Sequence, residues 1–490
     1  MGKIRVLDNV YDLITINMEN RFADNVAFRF YDTANDAVTT ILYKDYVQDI
    51  RRAVNYFQST IPEVRGKKIC LLTKNSYEYA VNSFGIVAAG AVLVLLNQRK
   101  SWDELSYELE LVEPDAILTD GDDYGFNEQL QAAYGSILRP MDGFRSFEPG
   151  QLTRCIDHEA LMILMFTSGT TGRSKGVMLS EKNFFSVMRA HTQIGEHMME
   201  YKHDPDLVMS QYTVLPMFHL GAFICLFSWA HAGWALNVSS DIRNFYKEVK
   251  RMPSQAMAVV PVIMNSLHHD VMRGRKDRLG ELWVPICSSA MFDPQVMLDM
   301  AEHGMFVVQT YGGTETCGDG IINYEQDEKH IRAVGKPDDH AEYKLDETGE
   351  ICIRGGCVML GYYKDPEATA EVLDADGWFH TGDLARVDED GFYYITGRKK
   401  NIIILDNGEN VSPEELENLL SKCEAVKECI VREKGKKICA VIYCGEADQQ
   451  TVRDFITETN RTLPLYKRMS AVEFSTEPLP RTGTGKLLRK

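Results

Sequence analysis

The sequence predicts an α/β fold in which helices cover large, mostly parallel β-sheets, followed by a small β-rich subdomain and a small α+β C-terminal domain. Strand-like and helix-like segments alternate over roughly the first four hundred residues, and repeated βα units are typical of parallel sheets covered by helices. After about Gly349 the pattern changes to short alternating strands, and beyond Gly397 to a smaller mixed unit. At 490 residues, the chain is also too long for one compact core.

Apolar segments of strand length recur along the first part of the chain: Lys68–Thr73, Val92–Leu96, Ala116–Asp120, Ala160–Thr167, Gln255–Val260, Trp283–Ser288 and Met305–Gln309. Helix starts follow two of them, since Pro261 suits a first turn and Asp293-Pro294 combines an N-cap with a first-turn proline. Two other strands run into glycine-rich turns, Thr167–Gly176 and Tyr311–Gly313. Ligands bind at the carboxyl ends of strands in such folds, so we expect the site at these turns.

The C-terminal part shows different signals. Asp390-Gly391 predicts a hairpin turn, and Ser412–Glu415 (SPEE) reads as a capping box with proline at the first helical position. Further elements are predicted at Val426–Arg432, Lys437–Tyr443 and Gln449–Thr462, with one last strand. We place the domain boundary at Gly397–Lys400, which divides the chain into domains 1–397 and 398–490.

Composition restricts the functional classes. The net charge of -18 argues against non-specific binding to nucleic acid or to anionic lipid. The eleven cysteines are scattered without a C-x-x-C pair, which favours reduced thiols and a cytoplasmic location. The N-terminal residues do not read as a secretory signal. The longest apolar runs, Phe84–Leu96 and Leu220–Leu236, are interpreted as buried core and not as membrane spans.

The segment Thr167–Gly176 (TSGTTGRSKG) has the chemistry of a phosphate-binding loop. Its glycines let backbone N–H groups approach a phosphate, its hydroxyls donate to phosphate oxygens, and Lys175 supplies positive charge. It is not a Walker loop, because Gly-Lys-Ser/Thr is absent. The alternative is a plain turn.

This loop closely resembles the signature phosphate loop of the adenylate-forming superfamily, which includes acyl-CoA synthetases, firefly luciferase and peptide-synthetase adenylation domains. Further segments resemble the other signatures of that superfamily in the same order: Tyr311–Glu315 (YGGTE), Thr381–Asp383 (TGD), the hinge Gly397–Lys400 (GRKK) and the terminal motif Arg481–Lys486 (RTGTGK). The segment Gly90–Arg99 also resembles sequences of this superfamily. The resemblance covers essentially the whole chain.

The resemblance implies an ATP-dependent, AMP-forming carboxylic acid:CoA ligase that makes an acyl-adenylate and then a thioester. The implied cofactors are ATP, Mg²⁺ and coenzyme A, and the partner is a small carboxylic acid, a fatty or aryl acid as in fatty acid metabolism. The C-terminal domain is implied to be a mobile lid that swings about a hinge at Lys400 between the two half-reactions.

The resemblance also implies which residues bind the nucleotide. In the phosphate loop these are Thr167, Ser168, Gly169, Thr170, Thr171, Gly172 and Lys175. Tyr311 with Gly312 would hold the adenine, Asp383 the ribose hydroxyls, and Arg398 the ribose or phosphates. The alternatives are a core tyrosine, a turn aspartate and a basic surface turn.

The catalytic residues implied are Thr314, Glu315, His219 and Lys486. Thr314 would contact the α-phosphate, and Glu315 would hold Mg²⁺, which prefers oxygen ligands. Lys486 would stabilise the charge that grows on the α-phosphate and hold the acid in line, in the first half-reaction only. His219 lies in Pro216–Gly221 (PMFHLG), which resembles the motif that borders the acyl pocket.

The sequence departs from the family pattern at three places, and the second of them bears on the substrate. Ser174 precedes Lys175 where relatives often have proline. Cys287–Met291 (CSSAM) places Ser289 and Ala290 beside the acyl pocket where many relatives have glycines. The last segment after Lys486 is short. No acid stands beside His219 to pair with an α-ammonium, which favours an acyl or aryl acid over an amino acid.

Nearby aromatic residues suit an uncharged tail or plain core packing: Phe223, Phe227, Trp229 and Trp234. The histidines His191 and His231 belong to no motif and are interpreted as structural.

Two alternatives remain. A stand-alone ligase could load an acyl-carrier protein, because its phosphopantetheine thiol is the same as that of coenzyme A. A catalytically silent nucleotide-binding relative would not need Lys175, Glu315, Asp383 and Lys486 together, so their presence speaks against it. The oligomeric state is not predicted.

Overall fold

The computed structural model describes residues 4–32, 35–154, 157–168, 173–288, 292–405, 409–435, 437–480 and 487–488. Within these ranges the side chains of Ser168, Asp319 and Asn410 are not described. The chain forms two compact units. The first consists of Met1–Glu342 and Ile353–Phe379, and the second of Tyr343–Cys352 and His380–Lys490.

The strands follow the chain in this order: β1 (Val26–Asp32), β2 (Ala37–Leu42), β3 (Lys68–Leu72), β4 (Val92–Leu95), β5 (Ala116–Thr119), β6 (Leu138–Pro140), β7 (Leu161–Ser168), β8 (Ser174–Ser180), β9 (Ser210–Thr213), β10 (Ala235–Val238), β11 (Ala256–Val259), β12 (Val284–Cys287), β13 (Val308–Gly313), β14 (Gly318–Asn323), β15 (Lys336–Pro337), β16 (Ala341–Leu345), β17 (Glu350–Gly355), β18 (Gly361–Tyr362), β19 (Phe379–Val387), β20 (Tyr393–Arg398), β21 (Ile403–Ile404), β22 (Asn410–Val411), β23 (Glu428–Lys434), β24 (Lys437–Tyr443) and β25 (Ala471–Ser475).

The α-helices are α1 (Val10–Asp12), α2 (Tyr43–Thr60), α3 (Tyr77–Ala88), α4 (Trp102–Val112), α5 (Asn127–Tyr134), α6 (Glu181–Ser186), α7 (Met188–Lys202), α8 (Leu220–Phe223), α9 (Cys225–Ala232), α10 (Phe245–Arg251), α11 (Pro261–Met272), α12 (Pro294–Glu302), α13 (Pro366–Val372), α14 (Pro413–Leu420) and α15 (Gln449–Thr462). A π-helical segment, Leu13–Arg21, continues α1.

Two large sheets build the first unit. One has the order β15-β14-β13-β12-β11-β9-β10-β1-β2, and the other β18-β8-β7-β4-β3-β5-β6. The inner strands are parallel, whereas β2, β8, β14, β15 and β18 add antiparallel pairs at the edges. The predicted α/β fold with mostly parallel, helix-covered sheets is therefore confirmed.

The observed strands agree with the predicted ones within a few residues, except near Met305. There the strand runs over Val308–Gly313, beyond the predicted end at Gln309. Val307 is held by a side chain, since its N–H donates to Gln326 Oε1 at 3.0 Å and its carbonyl accepts from Gln326 Nε2 at 2.8 Å. The antiparallel partner β14 extends the pairing to Gly313, which brings the glycine-rich turn into the strand itself.

The second unit contains most of the sheet β16-β17-β19-β20 and the sheets β21-β22 and β23-β24-β25. The predicted hairpin joins β19 to β20, where Gly391 has a φ of 84°. Ser412 caps α14 by accepting from the Glu415 N–H, while the Glu415 carboxylate pairs with Lys467 at 2.7 Å. Apolar residues of α14, α15 and β23 to β25 form its core: Leu416, Leu420, Val431, Ala440, Ile442, Val452 and Ile456.

Both long apolar runs lie in the first unit and are largely buried, as predicted. Among the described residues, no helix has both the length and the apolar character needed to cross a membrane. The ten described cysteines are all buried, and none of these ten forms a disulfide.

Candidate active site

The phosphate loop, Thr167–Gly176, connects two antiparallel strands of the first unit. β7 carries Thr167 and β8 carries Lys175, and these two residues lie opposite each other in the register. Both are half-buried. The predicted residues Gly169, Thr170, Thr171 and Gly172 lie outside the described residues, as does the Ser168 side chain. The loop thus begins at the carboxyl end of β7, where a ligand is expected in this type of fold.

The YGGTE turn, Tyr311–Glu315, continues β13 into a short 3₁₀ turn. The Gly313 N–H donates to Thr316 Oγ1 at 3.1 Å, and the Cys317 N–H donates to the Thr314 carbonyl at 3.1 Å. These bonds fix the turn, which leaves Thr314 and Glu315 half-buried at its surface. Tyr311 is half-buried and Gly312 exposed on the same strand end.

A short strand joins the two glycine-rich turns. β18 pairs with β8 so that Tyr362 lies opposite Val177, and the Tyr362 hydroxyl donates to Glu315 Oε1 at 3.0 Å. Lys175 Nζ lies 4.8 Å from the centroid of the Tyr362 ring, within reach of a cation–π contact. The lysine of one turn and the carboxylate of the other are therefore held on the same buried tyrosine. Burial raises the pKa of Tyr362, and the nearby Glu315 raises it further, so the hydroxyl remains a donor.

Glycine is required beside this tyrosine. Gly361 has a φ of 134°, and a β-carbon there would lie 2.9 Å from Thr369 Cγ2. The Thr369 hydroxyl in turn accepts from the Tyr362 N–H at 2.9 Å. Sequence reasoning missed Tyr362, because a lone Gly-Tyr pair has no spacing pattern and the register of β18 on β8 depends on tertiary structure.

Helix α4 anchors the far end of the phosphate loop. Lys100 Nζ donates to Ser174 Oγ at 2.8 Å and pairs with Glu108, whose side chain has no exposed surface. Arg173 lies over the Tyr107 ring at 5.1 Å. The serine that replaces the usual proline therefore accepts a charged hydrogen bond that proline could not accept. Burial raises the pKa of Glu108, and Lys100 opposes that shift.

His219 is exposed at the N-terminus of α8, in the loop that follows β9. Its ring lies 4.4 Å from the Phe218 ring, centroid to centroid. The loop is fixed by Asn75, whose side chain accepts from the Met217 N–H at 2.9 Å. His219 stands two residues before Gly221, which lines a cavity of the first unit. Its place in the acyl site stays a prediction.

A partly open cavity lies in the first unit among α7, α9 and the ends of β9, β11 and β12. Its lining includes His191, Gln211, Trp229 and Ser288, and its volume is about 50 Å³. Ser288 directly precedes Ser289 and Ala290, which lie outside the described residues. The cavity is therefore adjacent in sequence to the segment predicted to border the acyl pocket.

In the second unit, Asp383 and Arg398 face each other across β19 and β20. Arg398 Nε lies 2.6 Å from Asp383 Oδ1, so the two predicted nucleotide contacts form an ion pair. The TGD turn is fixed by the Thr381 hydroxyl, which donates to the Ile351 carbonyl at 2.8 Å, and by the Gly382 N–H, which donates to Glu350 Oε1 at 2.7 Å. Asp383 is 9% exposed, so its carboxylate keeps a narrow opening to solvent.

The predicted hinge follows directly. Lys399 pairs with Glu350 at 2.7 Å, while Lys400 is exposed in the 3₁₀ turn Lys399–Asn401. A β-carbon on Gly397 would lie 2.3 Å from Ser412 Oγ, so the backbone passes directly against the cap of α14. Lys486 lies outside the described residues.

Comparisons with known proteins extend these observations over the whole chain. The model of the AMP-binding enzyme family matches residues 17–363, and the model of the AMP-binding enzyme C-terminal domain matches residues 415–486. A crotonobetaine/carnitine–CoA ligase of Escherichia coli O45:K1 (strain S88 / ExPEC) is 27% identical over 506 aligned positions, which cover 94% of each chain.

Solved structures show the same fold. The o-succinylbenzoate coenzyme A synthetase (MenE) of Bacillus subtilis, in complex with AMP, superposes with a TM-score of 0.81 at 23% identity, covering 96% of this chain and 97% of that one. ATP-bound MatB of Rhodopseudomonas palustris gives a TM-score of 0.83 at 22% identity, with 99% and 97% coverage.

The anchor on α4 predicts a pH-dependent loss of stability in Lys100→Met. This variant leaves Glu108 buried without its cation, so we expect it to lower the free energy of unfolding by about 3 kcal/mol at pH 7. Removing Lys100 raises the pKa of Glu108 further. The loss should therefore shrink as the pH falls below 7, because protonation removes the unpaired charge of Glu108. Denaturant unfolding at several pH values measures this difference.

Lys182→Met is the matched control, because the Lys182–Glu159 pair is exposed on both sides and such pairs contribute little. Adding Glu108→Gln to Lys100→Met should recover part of the loss. Equal losses of unfolding free energy in the Lys100 and Lys182 variants, or a loss that does not change with pH, would contradict the stabilising role of the Lys100–Glu108 pair.

Proposed function

Since the chain belongs to the family of AMP-binding enzymes, we propose that it is an AMP-forming ligase that activates a carboxylic acid with ATP and transfers the acyl group to coenzyme A. The observation that carries this proposal is the junction of the two glycine-rich turns, where Lys175 and Glu315 meet on Tyr362. A cation for phosphate and a carboxylate for a metal ion are thereby held close together by one tyrosine.

The reaction has two halves. In the first, a carboxylate oxygen of the acid attacks the α-phosphorus of ATP, a new P–O bond forms, and the bond to the bridging oxygen breaks to release pyrophosphate. In the second, the thiol sulfur of coenzyme A attacks the acyl carbon of the adenylate. AMP leaves with the electrons of the C–O bond, and the thiol proton passes to solvent.

The first unit supplies the groups for the phosphates. Lys175 and the hydroxyls of Thr167 and Thr314 bind phosphate oxygens in this proposal, with the rest of the phosphate loop. The Glu315 carboxylate fits Mg²⁺, which prefers oxygen ligands. Its Oε1 is oriented by the Tyr362 hydroxyl. Its Oε2 has room beside it because residue 313 is glycine, and a β-carbon there would lie 3.4 Å from this oxygen. Mg²⁺, when bound, neutralises charge on the phosphate oxygens.

Other residues bind the nucleoside and the acid in this proposal. Tyr311 and Gly312 take the adenine, Asp383 accepts hydrogen bonds from the ribose hydroxyls, and Arg398 holds that carboxylate in place at 2.6 Å. His219, Ser289 and Ala290 border the acyl group.

The C-terminal lid comprises residues 398–490 in this proposal, with Lys400 as hinge and Lys486 as the catalytic lysine. Coenzyme A is the acceptor, and an acyl-carrier protein is the alternative. The thiol state of the ten described cysteines supports a reducing compartment, the cytoplasm.

We expect ATP–pyrophosphate exchange that depends on an added carboxylic acid and needs no coenzyme A. Only adenylation returns labelled pyrophosphate to ATP, so exchange tests the first half-reaction alone. The panel holds aliphatic, aryl and amino acids, and each active acid is then offered coenzyme A and a holo-carrier protein. ATP binding without exchange for any acid in a wide panel would favour the silent relative.

Lys486→Ala should separate the two halves. We expect exchange to fall by about 100-fold or more, because a cation at the developing charge contributes on that order. Conversion of supplied acyl-AMP and coenzyme A to thioester should stay near the wild-type rate. Lys490→Ala, which removes a lysine four residues further along the sequence, is the control. Equal loss in both halves would remove the assignment of Lys486 to adenylation.

Tyr362→Phe keeps the ring below Lys175 and removes the hydrogen bond to Glu315. We expect kcat/KM for ATP to fall about tenfold, the size of a lost hydrogen bond to a charged group, together with a higher Mg²⁺ requirement. Tyr363→Phe makes the same chemical change one residue later and should leave both quantities near wild type. An unchanged Mg²⁺ requirement in Tyr362→Phe would disprove the positioning of Glu315.

A further inference from the structure

A cluster of metal-ligating side chains lies in the second unit, outside the set of residues proposed to bind the nucleotide. Asp346, Cys352 and His380 each place one ligand atom there, and these atoms all lie within 4.8 Å of one another. The set combines a carboxylate, a thiol and an imidazole. These ligands together are typical of sites for Zn²⁺ and related transition-metal ions, whereas Mg²⁺ and Ca²⁺ prefer oxygen alone.

The distance between the sulfur and the nitrogen fits an ion bound to both. Cys352 Sγ lies 3.5 Å from His380 Nδ1. In a tetrahedral zinc site, a Zn–S bond of about 2.3 Å and a Zn–N bond of about 2.0 Å place these two atoms about 3.5 Å apart. The carboxylate of Asp346 beside the pair supplies a third ligand, which a thiol–imidazole hydrogen bond of the same length does not need.

The carboxylate is held in place by its own turn. Asp346 Oδ1 accepts three hydrogen bonds, from the Thr348 N–H at 2.8 Å, the Thr348 hydroxyl at 2.7 Å and the Glu350 N–H at 2.9 Å. One oxygen therefore orders the turn, and Oδ2 is the oxygen that an ion would use. Because the side chain is already ordered, binding a metal ion costs little further conformational entropy.

The thiol and the imidazole lie on neighbouring strands of one sheet. Cys352 is on β17 and His380 on β19, which adjoin each other in that sheet. The Thr381 hydroxyl donates to the Ile351 carbonyl at 2.8 Å. These two residues directly adjoin the two ligands in sequence, so the strands are held together beside the cluster.

Two of the three ligands are open to solvent. The side chain of His380 is 32% exposed and that of Asp346 is 23% exposed, whereas Cys352 is fully buried against the imidazole. The gap between sulfur and nitrogen is too narrow for a water molecule, but an ion with bonds of about 2 Å spans it. The exposed ligands therefore provide the entrance, and the sulfur completes the site from the protein side.

The charge around the cluster favours a divalent cation. The Lys399 ammonium contacts two carboxylates, since its Nζ lies 2.7 Å from Glu350 Oε2 and 3.6 Å from Asp346 Oδ2. The shorter contact pairs the lysine with Glu350, so the charge of Asp346 is only partly compensated. Zn²⁺ bound by one carboxylate, one thiolate and a neutral imidazole carries no net charge, and the lysine keeps its pair.

We propose that Asp346, Cys352 and His380 bind one Zn²⁺, with a water molecule in the fourth position. On binding, the thiol proton of Cys352 passes to solvent and a metal–sulfur bond takes the place of the S–H bond. His380 directly precedes the TGD turn, so the bound ion fixes the strand that carries this turn. The site does not depend on the proposed ligase activity, because that proposal uses none of these three residues.

Co²⁺ provides the first test, because it occupies zinc sites and reports its ligands by light absorption. The whole chain, reduced and freed of metal with a chelator, is titrated with Co²⁺ in the absence of nucleotide. We expect a thiolate-to-cobalt charge-transfer band in the near ultraviolet and the strong visible bands of tetrahedral cobalt. Zn²⁺ should remove both at one equivalent, and an excess of Mg²⁺ should remove neither.

Three variants then test the residues. Cys352→Ala should abolish the charge-transfer band. Asp346→Asn should weaken Zn²⁺ binding by about 100-fold, since even residues that only orient metal ligands contribute about 10-fold to 100-fold. Lys399→Met removes a positive charge beside the ion and should tighten binding about tenfold, which a merely structural cluster would not show. Cys439→Ala is the matched control, because it removes another buried thiol of the same unit; its spectrum should equal that of the wild type.

The outcomes are distinct. A cobalt spectrum without the thiolate band, or a band that persists in Cys352→Ala, overturns the site and assigns the 3.5 Å contact to a thiol–imidazole hydrogen bond. Unchanged Zn²⁺ affinity in both Asp346→Asn and Lys399→Met overturns it as well. Should Cys352→Ala not fold, the wild-type spectrum and the other two affinities decide. Cobalt bands in a protein that shows no acid-dependent exchange would retain the metal site and remove only the proposed ligase.

Discussion

The pairing of β18 with β8 is the constraint on which the site of the first unit depends. These two strands come from distant parts of the chain, with Gly361 opposite Met178 and Tyr362 opposite Val177. The YGGTE turn and the phosphate loop belong to two separate sheets, and this register places Tyr362 between them. Tyr362 joins them through its ring on one side and its hydroxyl on the other, so a short edge strand determines where a lysine and a carboxylate meet. The Tyr362 hydroxyl is a neutral donor, so it binds the Glu315 carboxylate without placing a second charge beside it.

Much of the architecture could be predicted from the sequence because it rests on local patterns. The segment Lys437–Tyr443 and the helix Gln449–Thr462 were predicted with the bounds that the structure shows. The first is an apolar run of strand length, and the second carries apolar residues at helical spacing. The strand near Met305 was misplaced, because a side-chain amide from Gln326 takes the hydrogen bonds of Val307. A side chain that takes the place of a strand partner leaves no pattern in the neighbouring sequence.

The residues of the candidate site could likewise be predicted only in part. The glycine-rich turns were recognisable because phosphate chemistry demands small residues, hydroxyls and a lysine in one short stretch. Tyr362 and Lys100 were not, since each acts through a partner far away in the sequence: Glu315 and Ser174 respectively. His191 was interpreted as structural, and its burial agrees with that.

The burial of the thiols has a consequence for how this protein can be studied. Thiolates, not thiols, react with alkylating reagents, and burial raises the pKa of Cys352 to about 11 and of Cys357 to about 12. In the native state these groups are both inaccessible and protonated, so labelling requires the chain to open. The rate at which the ten described cysteines become alkylated, followed one by one by mass spectrometry, would therefore map local unfolding in both units with natural probes already in place.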